Sequence, residues 1–206
     1  MPGGFNFIIK RTIAPETLWD PNKQNPGITL SNGNLTATCT QTDTGNTVLS
    51  TGVQNSGKLY FEIDFTGPGG VYQFSIGICD SATVDENVRA GWGESWAFYP
   101  RSTTSGRFYH DGVNLLTLTI PTITNNIIMF ATDLDVGKMW VGVDNVWLNS
   151  GNPSAGTGSV FDDSSMIGID MVPIFSGRND GDIATLNASS DLFTYSPPSG
   201  FSAWGS

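Results

Sequence analysis

Charge is scarce in this 206-residue sequence: Asp, Glu, Lys and Arg make up 14% of it, against about 25% in an average soluble domain. The charges that are present lean acidic, 19 against 9, for a net of −10. That balance excludes the basic stripe needed to hold nucleic acid or an anionic membrane surface. Histidine and cysteine are nearly absent, one and two residues, which rules out a zinc site built from Cys and His alone. A Ser-His-Asp triad would have to use His110, read as a hydrogen-bonding loop residue, and no serine sits in a Gly-x-Ser-x-Gly elbow. Gly67-Pro68-Gly69-Gly70 lacks the Lys-Ser/Thr and the helix of a phosphate-cradling loop. No run of about 18 apolar residues exists, so no membrane-spanning helix is expected. The short apolar patch near the N-terminus precedes its charges, Lys10 and Arg11, the reverse of a secretory leader. Retention in a cytoplasm follows as the expectation, and with it a low expectation of a Cys39–Cys79 disulfide.

In place of charge the chain has Gly, Thr, Ser and Asn, with 38% hydrophobic and 11% aromatic residues, enough to build a core. The most informative stretch is Asn126 to Gly151. An apolar run, Ile127 to Phe130, leads to a turn at Asp135-Val136-Gly137-Lys138, where Gly137 can take positive φ at little cost. Met139 to Val143 returns as a second strand, and Asp144-Asn145 turns the chain into Val146-Trp147-Leu148. The first of these strands is apolar on both parities, the pattern of a central strand covered on both faces.

Upstream, Ile28 to Ser31 and Leu35 to Cys39 flank Asn32-Gly33, a strong hairpin signal, and alternation points Cys39 inward. Leu59, Phe61, Ile63 and Phe65 alternate with Lys58, Tyr60, Glu62 and Asp64, and Tyr72 to Ile78 alternates in the same way. Asp80 to Gly112 then changes character: polar, punctuated by Gly, and rich in aromatics with Arg89, Arg101 and Arg107 among them. Strands follow at Met171 to Phe175 and Ile183 to Leu186, and Pro197-Pro198 makes the C-terminal tail extended. No helical periodicity lasts three turns. The fold class expected is all-β, a two-sheet antiparallel sandwich in one domain over 19–206, preceded by an arm or edge strand over 1–18.

Several of these segments resemble the SPRY domain. Asp133-Leu134-Asp135, Gly137-Lys138, Met139-Trp140-Val141 and the turn before Trp147 match its hallmark segment, with Asp144-Asn145 where Asn-Gly is usual. Trp19-Asp20-Pro21, Gly57-Lys58-Leu59-Tyr60-Phe61-Glu62 and Pro197-Pro198-Ser199-Gly200-Phe201 match it elsewhere. The resemblance implies a concanavalin A-like jelly roll in which the Pro-Pro segment lies across the sandwich.

Gly93-Glu94-Ser95-Trp96 and Arg107-Phe108-Tyr109-His110-Asp111-Gly112 are similar to SPRY proteins carrying a SOCS box, whose Tyr grips a short polar peptide. That resemblance nominates Tyr109, with Phe175 and Gly177 on the pocket's other side; the alternative is that Tyr109 caps its loop. Trp92, between two glycines, offers a stacking surface, while Arg101 and Arg107 can pair with carboxylates or carbonyls. Trp96, Trp140 and Trp147 read as core. Phe5, Phe7, Ile8 and Ile9 are too apolar for an idle tail and suggest an assembly arm or an extra edge strand.

Among the acids, Asn179-Asp180-Gly181-Asp182 supplies only part of a calcium loop, so solvated turn residues are expected and no metal or cofactor is implied. Asp133 and Asp135 invite comparison with paired glycosidase acids. The function expected is non-enzymatic binding or assembly. The Thr/Asn/Gly-rich composition resembles free-standing bacteriophage SPRY proteins, which implies a virion component, a tail-fibre, receptor-binding or capsid-decoration element. Its partners would be virion subunits or a host-surface protein or glycan, with a homo-oligomer allowed. The alternatives are a glycan-active hydrolase and a cytoplasmic peptide-binding adaptor.

Overall fold

The computed structural model describes residues 17–42, 45–68, 74–82 and 84–206. Phe5, Phe7, Ile8 and Ile9 lie outside the described residues. In chain order the strands are β1 (Trp19–Gln24), β2 (Ile28–Ser31), β3 (Thr36–Cys39), β4 (Asn46–Ser50), β5 (Lys58–Thr66), β6 (Ser75–Asp80), β7 (Ser95–Ser102) and β8 (Ser105–His110). They continue with β9 (Val113–Thr119), β10 (Asn125–Asp133), β11 (Lys138–Val143), β12 (Val146–Trp147), β13 (Phe161–Asp162), β14 (Met171–Gly177), β15 (Ile183–Asn187) and β16 (Ser202–Ala203). Only single 3-10 turns interrupt them among the described residues.

Two sheets result. One runs β1-β4-β14-β6-β7-β8-β9, the other β12-β11-β10-β5-β15-β3-β2, with β13 beside β11 and β16 beside β5. Neighbours are antiparallel throughout except β16, which lies parallel to the start of β5 through Ser202↔Leu59 and Ala203↔Tyr60. Turn chemistry sets the register where the sequence said it would. Val143 pairs with Val146 across Asp144-Asn145, at φ 46° and 65°, the primed two-residue turn that suits strand twist.

The inward rows of the two sheets make the main core. Phe61, Ile63 and Phe65 of β5 and Ile128 and Phe130 of β10 meet Ile76 and Ile78 of β6, Trp96 and Phe98 of β7, and Phe108 of β8. Phe61 and Phe130, paired across β5 and β10, stack at 4.7 Å. Each such ring removed from water contributes about 2–3 kcal/mol, so this layer fixes which face of every strand points in.

Both outer faces are covered as well, in part. On the nine-stranded sheet, Tyr60, Met129, Ala131 and Trp140 lie under Phe193, Tyr195 and Phe201 of the C-terminal segment. This explains the doubly apolar β10 and places the Pro-Pro segment across the sandwich. The clip is Glu62, fully buried, whose carboxylate accepts hydrogen bonds from Tyr60 Oη (2.7 Å), Thr194 N (2.7 Å) and Tyr195 N (2.8 Å). On the seven-stranded sheet, Leu49, Cys79, Ala97, Val172 and Ile174 are covered by Val84, Val88 and Ala90. Cys39 faces the main core and Cys79 this second one, so both are free, and burial pushes both thiols up.

Trp96 and Trp140 are core residues and Trp147 packs partly buried against the C-terminal cluster. Two expectations are corrected. The stretch Asp80 to Gly112, read as polar and Gly-punctuated with its site residues on loops, contains all of β7 and β8. His110 is accordingly a strand residue, stacked on Trp96 at 4.3 Å, and not a loop residue.

Candidate functional site

The site grows from the alternation of β7 and β8. Trp96, Phe98 and Phe108 fill the core, so the intervening Tyr99, Arg107 and Tyr109 face outward, with Tyr99 opposite Arg107 and Ala97 opposite Tyr109. The chain then folds back over this face. Ala90 N donates to Ser176 Oγ (2.8 Å), Gly91 N to Ser95 Oγ (2.7 Å), and Arg89 Nε to Ser75 Oγ (3.3 Å). Ser75 and Ser176 are cross-strand partners on β6 and β14, and Thr47 extends the row on β4, hydrogen-bonded to Ser176 at 2.6 Å. A polar row therefore anchors the covering segment. Gly91 allows the close approach: its φ is +93°, and a Cβ there would sit 2.8 Å from Tyr109 Cβ.

What results is a stack of rings and guanidinium groups. Trp92 lies on Tyr109 at 5.1 Å and 16°. The Arg89 guanidinium stands 4.7 Å from the Trp92 ring and 4.4 Å from that of Tyr99, contacts worth about 0.5–1 kcal/mol each at an accessible site. Tyr99 meets Tyr109 edge-on at 5.9 Å, and Arg107 Nη1 donates to Tyr109 Oη at 3.2 Å. Asn87, Val88, Arg89 and Trp92 line an open depression of about 430 Å³. Arg107 is half-buried, Arg101 is exposed, and neither has a carboxylate partner among the described residues, whose ion pairs are Lys58–Asp133, His110–Asp163 and Lys138–Asp162.

Of the residues nominated from sequence, Trp92, Arg107 and Tyr109 come together, with Trp92 half-buried on Tyr109. Arg101 stands two residues past Tyr99, at the β7–β8 hairpin end. Phe175 and Gly177 are corrected: both face the core, Phe175 against Trp19 at 6.4 Å and Gly177 against Cys39. Ser176 between them is the residue of β14 that supports the site. Arg89 and Tyr99 were not nominated, although Tyr99 follows the outward parity of Ala97.

No protein-family model matches the sequence, and no curated protein matches it. Solved structures do match in three dimensions. The SPRY domain of human HERC1 aligns with a TM-score of 0.62 at 18% identity, over 82% of this chain and 96% of that one. The PSpry domain of TRIM65 aligns with a TM-score of 0.61 at 15% identity, over 82% of this chain and 90% of that one. The fold is the SPRY fold.

Within this SPRY sandwich Asp133, Asp135 and Asp182, the carboxylates considered for hydrolysis or calcium, have structural partners. Asp133 pairs with Lys58 at 3.5 Å, and Asp135 accepts the Gly57 N–H at 2.8 Å. Both hold the β5 entrance against the β10–β11 turn. Asp182 is fully buried; its Oδ2 accepts the backbone N–H groups of Arg178 (3.1 Å) and Asn179 (2.9 Å), closing the turn before β15. Burial pushes its carboxyl up despite those bonds. Asp163 accepts from Trp96 Nε1 at 2.9 Å and from Ser165 N and Oγ, and lies 3.8 Å from His110 Nε2. Burial raises the Asp163 carboxyl, but the Ser165 and Trp96 hydrogen bonds and the His110 charge together hold it below the usual range.

Proposed function

We propose that the chain is a non-enzymatic protein-binding module whose contact surface is the outward face of β7 and β8 with its covering segment. The observation that carries this reading is the stack of Trp92 on Tyr109 beside Arg107, with Arg101 exposed at the hairpin end and neither arginine holding a carboxylate partner among the described residues. Stacked, mutually braced rings offer large amphipathic contact area with little side-chain entropy left to lose, and guanidinium groups add directional donors. The same Tyr109 is the residue that the resemblance to SPRY proteins with a SOCS box marks as peptide-gripping. The acids that would serve a glycan hydrolase are engaged within the protein, which favours binding over turnover.

The finer reading places the module in a bacteriophage virion, as a tail-fibre, receptor-binding or capsid-decoration element touching virion subunits or a host-surface protein or glycan. Its support is the likeness in composition to free-standing phage SPRY proteins. Arrays of peptides and glycans probed with the purified chain test the binding reading. Capture on the peptide array is expected to fall at least about tenfold, roughly 1.4 kcal/mol, in Trp92→Ala and Tyr109→Ala, with melting temperature unchanged in Tyr109→Phe. Capture that survives both alanine variants refutes this surface. Co-sedimentation of the chain with intact particles tests the virion placement, and its absence removes that placement alone.

A further inference from the structure

Among the described residues, three of the four sheet edges are guarded. β1 carries Asp20, Pro21 and Lys23 and a shift of register; β12 has two residues; β2 has four and packs beside β1 and β4. Charge, proline, irregularity and shortness are the devices that keep an edge from templating another strand. β9 closes the far end of the seven-stranded sheet as Val-Asn-Leu-Leu-Thr-Leu-Thr, with no charge and no proline. Its one irregularity is an extra residue, Leu115, where the register passes from Phe108↔Leu116 to Tyr109↔Asn114. That bulge leaves Val113 and Leu115 57% and 53% exposed and confines the regular run to the residues from Leu116 to Thr119. Along the run, alternate backbone groups point away from β8, where no strand pairs with them among the described residues.

Beside this edge stands a cation in need of an anion. Arg107 is opposite Thr117, on the face turned from the core. Its Nη1 donates to Tyr109 Oη, and its Nε is buried with no hydrogen-bond partner among the described residues. A residue on a strand added beside Thr117 would have its Cα about 10 Å from that of Arg107, two strand spacings. The short Thr117 side chain between them leaves an arginine and a carboxylate room to meet. β9 contains no carboxylate, so a second copy of this chain paired edge to edge would leave Arg107 unanswered.

We propose that β9 accepts an extended segment of a partner protein as an additional strand, with apolar and Thr-type residues along it and a carboxylate at the position beside Thr117. Backbone hydrogen bonds supply the affinity and the Arg107 pair the register, the usual division in strand addition. The inference rests on the reading of the chain as a protein-binding module.

The test uses the full chain and seven-residue peptides, acetyl-Val-Thr-Val-Asp-Val-Thr-Val-amide and its central Asn and Lys versions, measured by fluorescence anisotropy and amide hydrogen exchange. Saturable binding of the Asp peptide is expected, at least about tenfold tighter than the Lys peptide, with exchange slowed between Leu116 and Thr119. Arg107→Gln should bring the Asp peptide to the level of the Asn peptide, and Val146→Ser, exposed on β12 at the edge of the other sheet, should leave it within about twofold. No saturable binding, or binding without protection between Leu116 and Thr119, overturns the strand addition. Protection that falls on Trp92 and Tyr109 instead also overturns it and assigns the peptide to the aromatic stack. Failure of the module reading itself shows separately, as capture on arrays that is indifferent to Trp92 and Tyr109.

Discussion

Glu62→Gln isolates what holds the C-terminal segment on the sandwich. Gln keeps the volume of Glu62 and removes only the charge and one acceptor. In the wild type, one carboxylate oxygen accepts Tyr60 Oη and Tyr195 N while the other accepts Thr194 N. Burial, then the hydrogen bond to Glu62, push the Tyr60 phenol well above its ordinary range, so it remains a donor. All three partners are therefore donors, and the amide nitrogen of Gln would have to face at least one of them. The better orientation sets it against Thr194 N, which is left without an acceptor at a cost of about 1–3 kcal/mol. The remaining bonds lose their charge assistance. Relief from burying a carboxylate offsets part of this, so a net loss of about 2 kcal/mol is expected. For a chain of this size that is a fall of about 4–8 °C in melting temperature, measured by calorimetry. Amide exchange should show the loss to be local first, with Thr194 and Tyr195 losing protection before the core strands. Unchanged melting with both amides still protected would refute the clip.

Two further predictions follow from particular contacts. In Asp163→Asn the amide can keep the Ser165 bonds only by turning its nitrogen to the Trp96 indole N–H, at a cost of about 1–2 kcal/mol near neutrality. The folded Asp163 carboxyl is held below its unfolded value. Its contribution is therefore present above the unfolded pKa of about 3.9 and is lost as pH falls through the lower folded value. The gap between wild type and variant in urea midpoint should accordingly narrow below about pH 4, and a gap constant from pH 7 to about 2.5 would sink the assignment. Gly77→Ala places a Cβ 1.9 Å from the Trp96 carbonyl oxygen in the neighbouring strand. Backbone cannot yield there, so a loss of about 3 kcal/mol or more is expected, and a melting temperature within about 3 °C of wild type would contradict it.

Much of the sandwich was legible because local chemistry and burial agree. Asp144 and Asn145 are turn residues and both take positive φ; Phe61 and Phe130 alternate into one core. Illegible parts are those where a distant segment covers a face. Glu62 sits in a row that reads as the polar side of β5, yet it is fully buried by residues 132 and 133 positions away. Nothing local to β5 encodes that cover. The same cause hid β7 and β8, whose outward residues are aromatic because the segment around Ala90 and Trp92 packs on them. β9 escaped notice for a different reason, since the extra residue Leu115 shifts its alternation by one and breaks the period-two signal.

The candidate site shows how much one position in a strand decides. Carrying a family pattern onto β14 selected Phe175 and Gly177, which share a parity and face the core. Ser176, of opposite parity, reaches the outer face and receives the Ala90 N–H that holds the covering segment. A shift of one residue exchanges core for surface along a strand, so a resemblance too distant to fix register can name the right strand and the wrong side chains. Tyr109 escaped that hazard because it was matched inside a contiguous motif, Arg107 to Gly112, in which no shift of one residue is open. Phe108 can only enter the core, which leaves Arg107 and Tyr109 pointing out and their ring and guanidinium available to a partner.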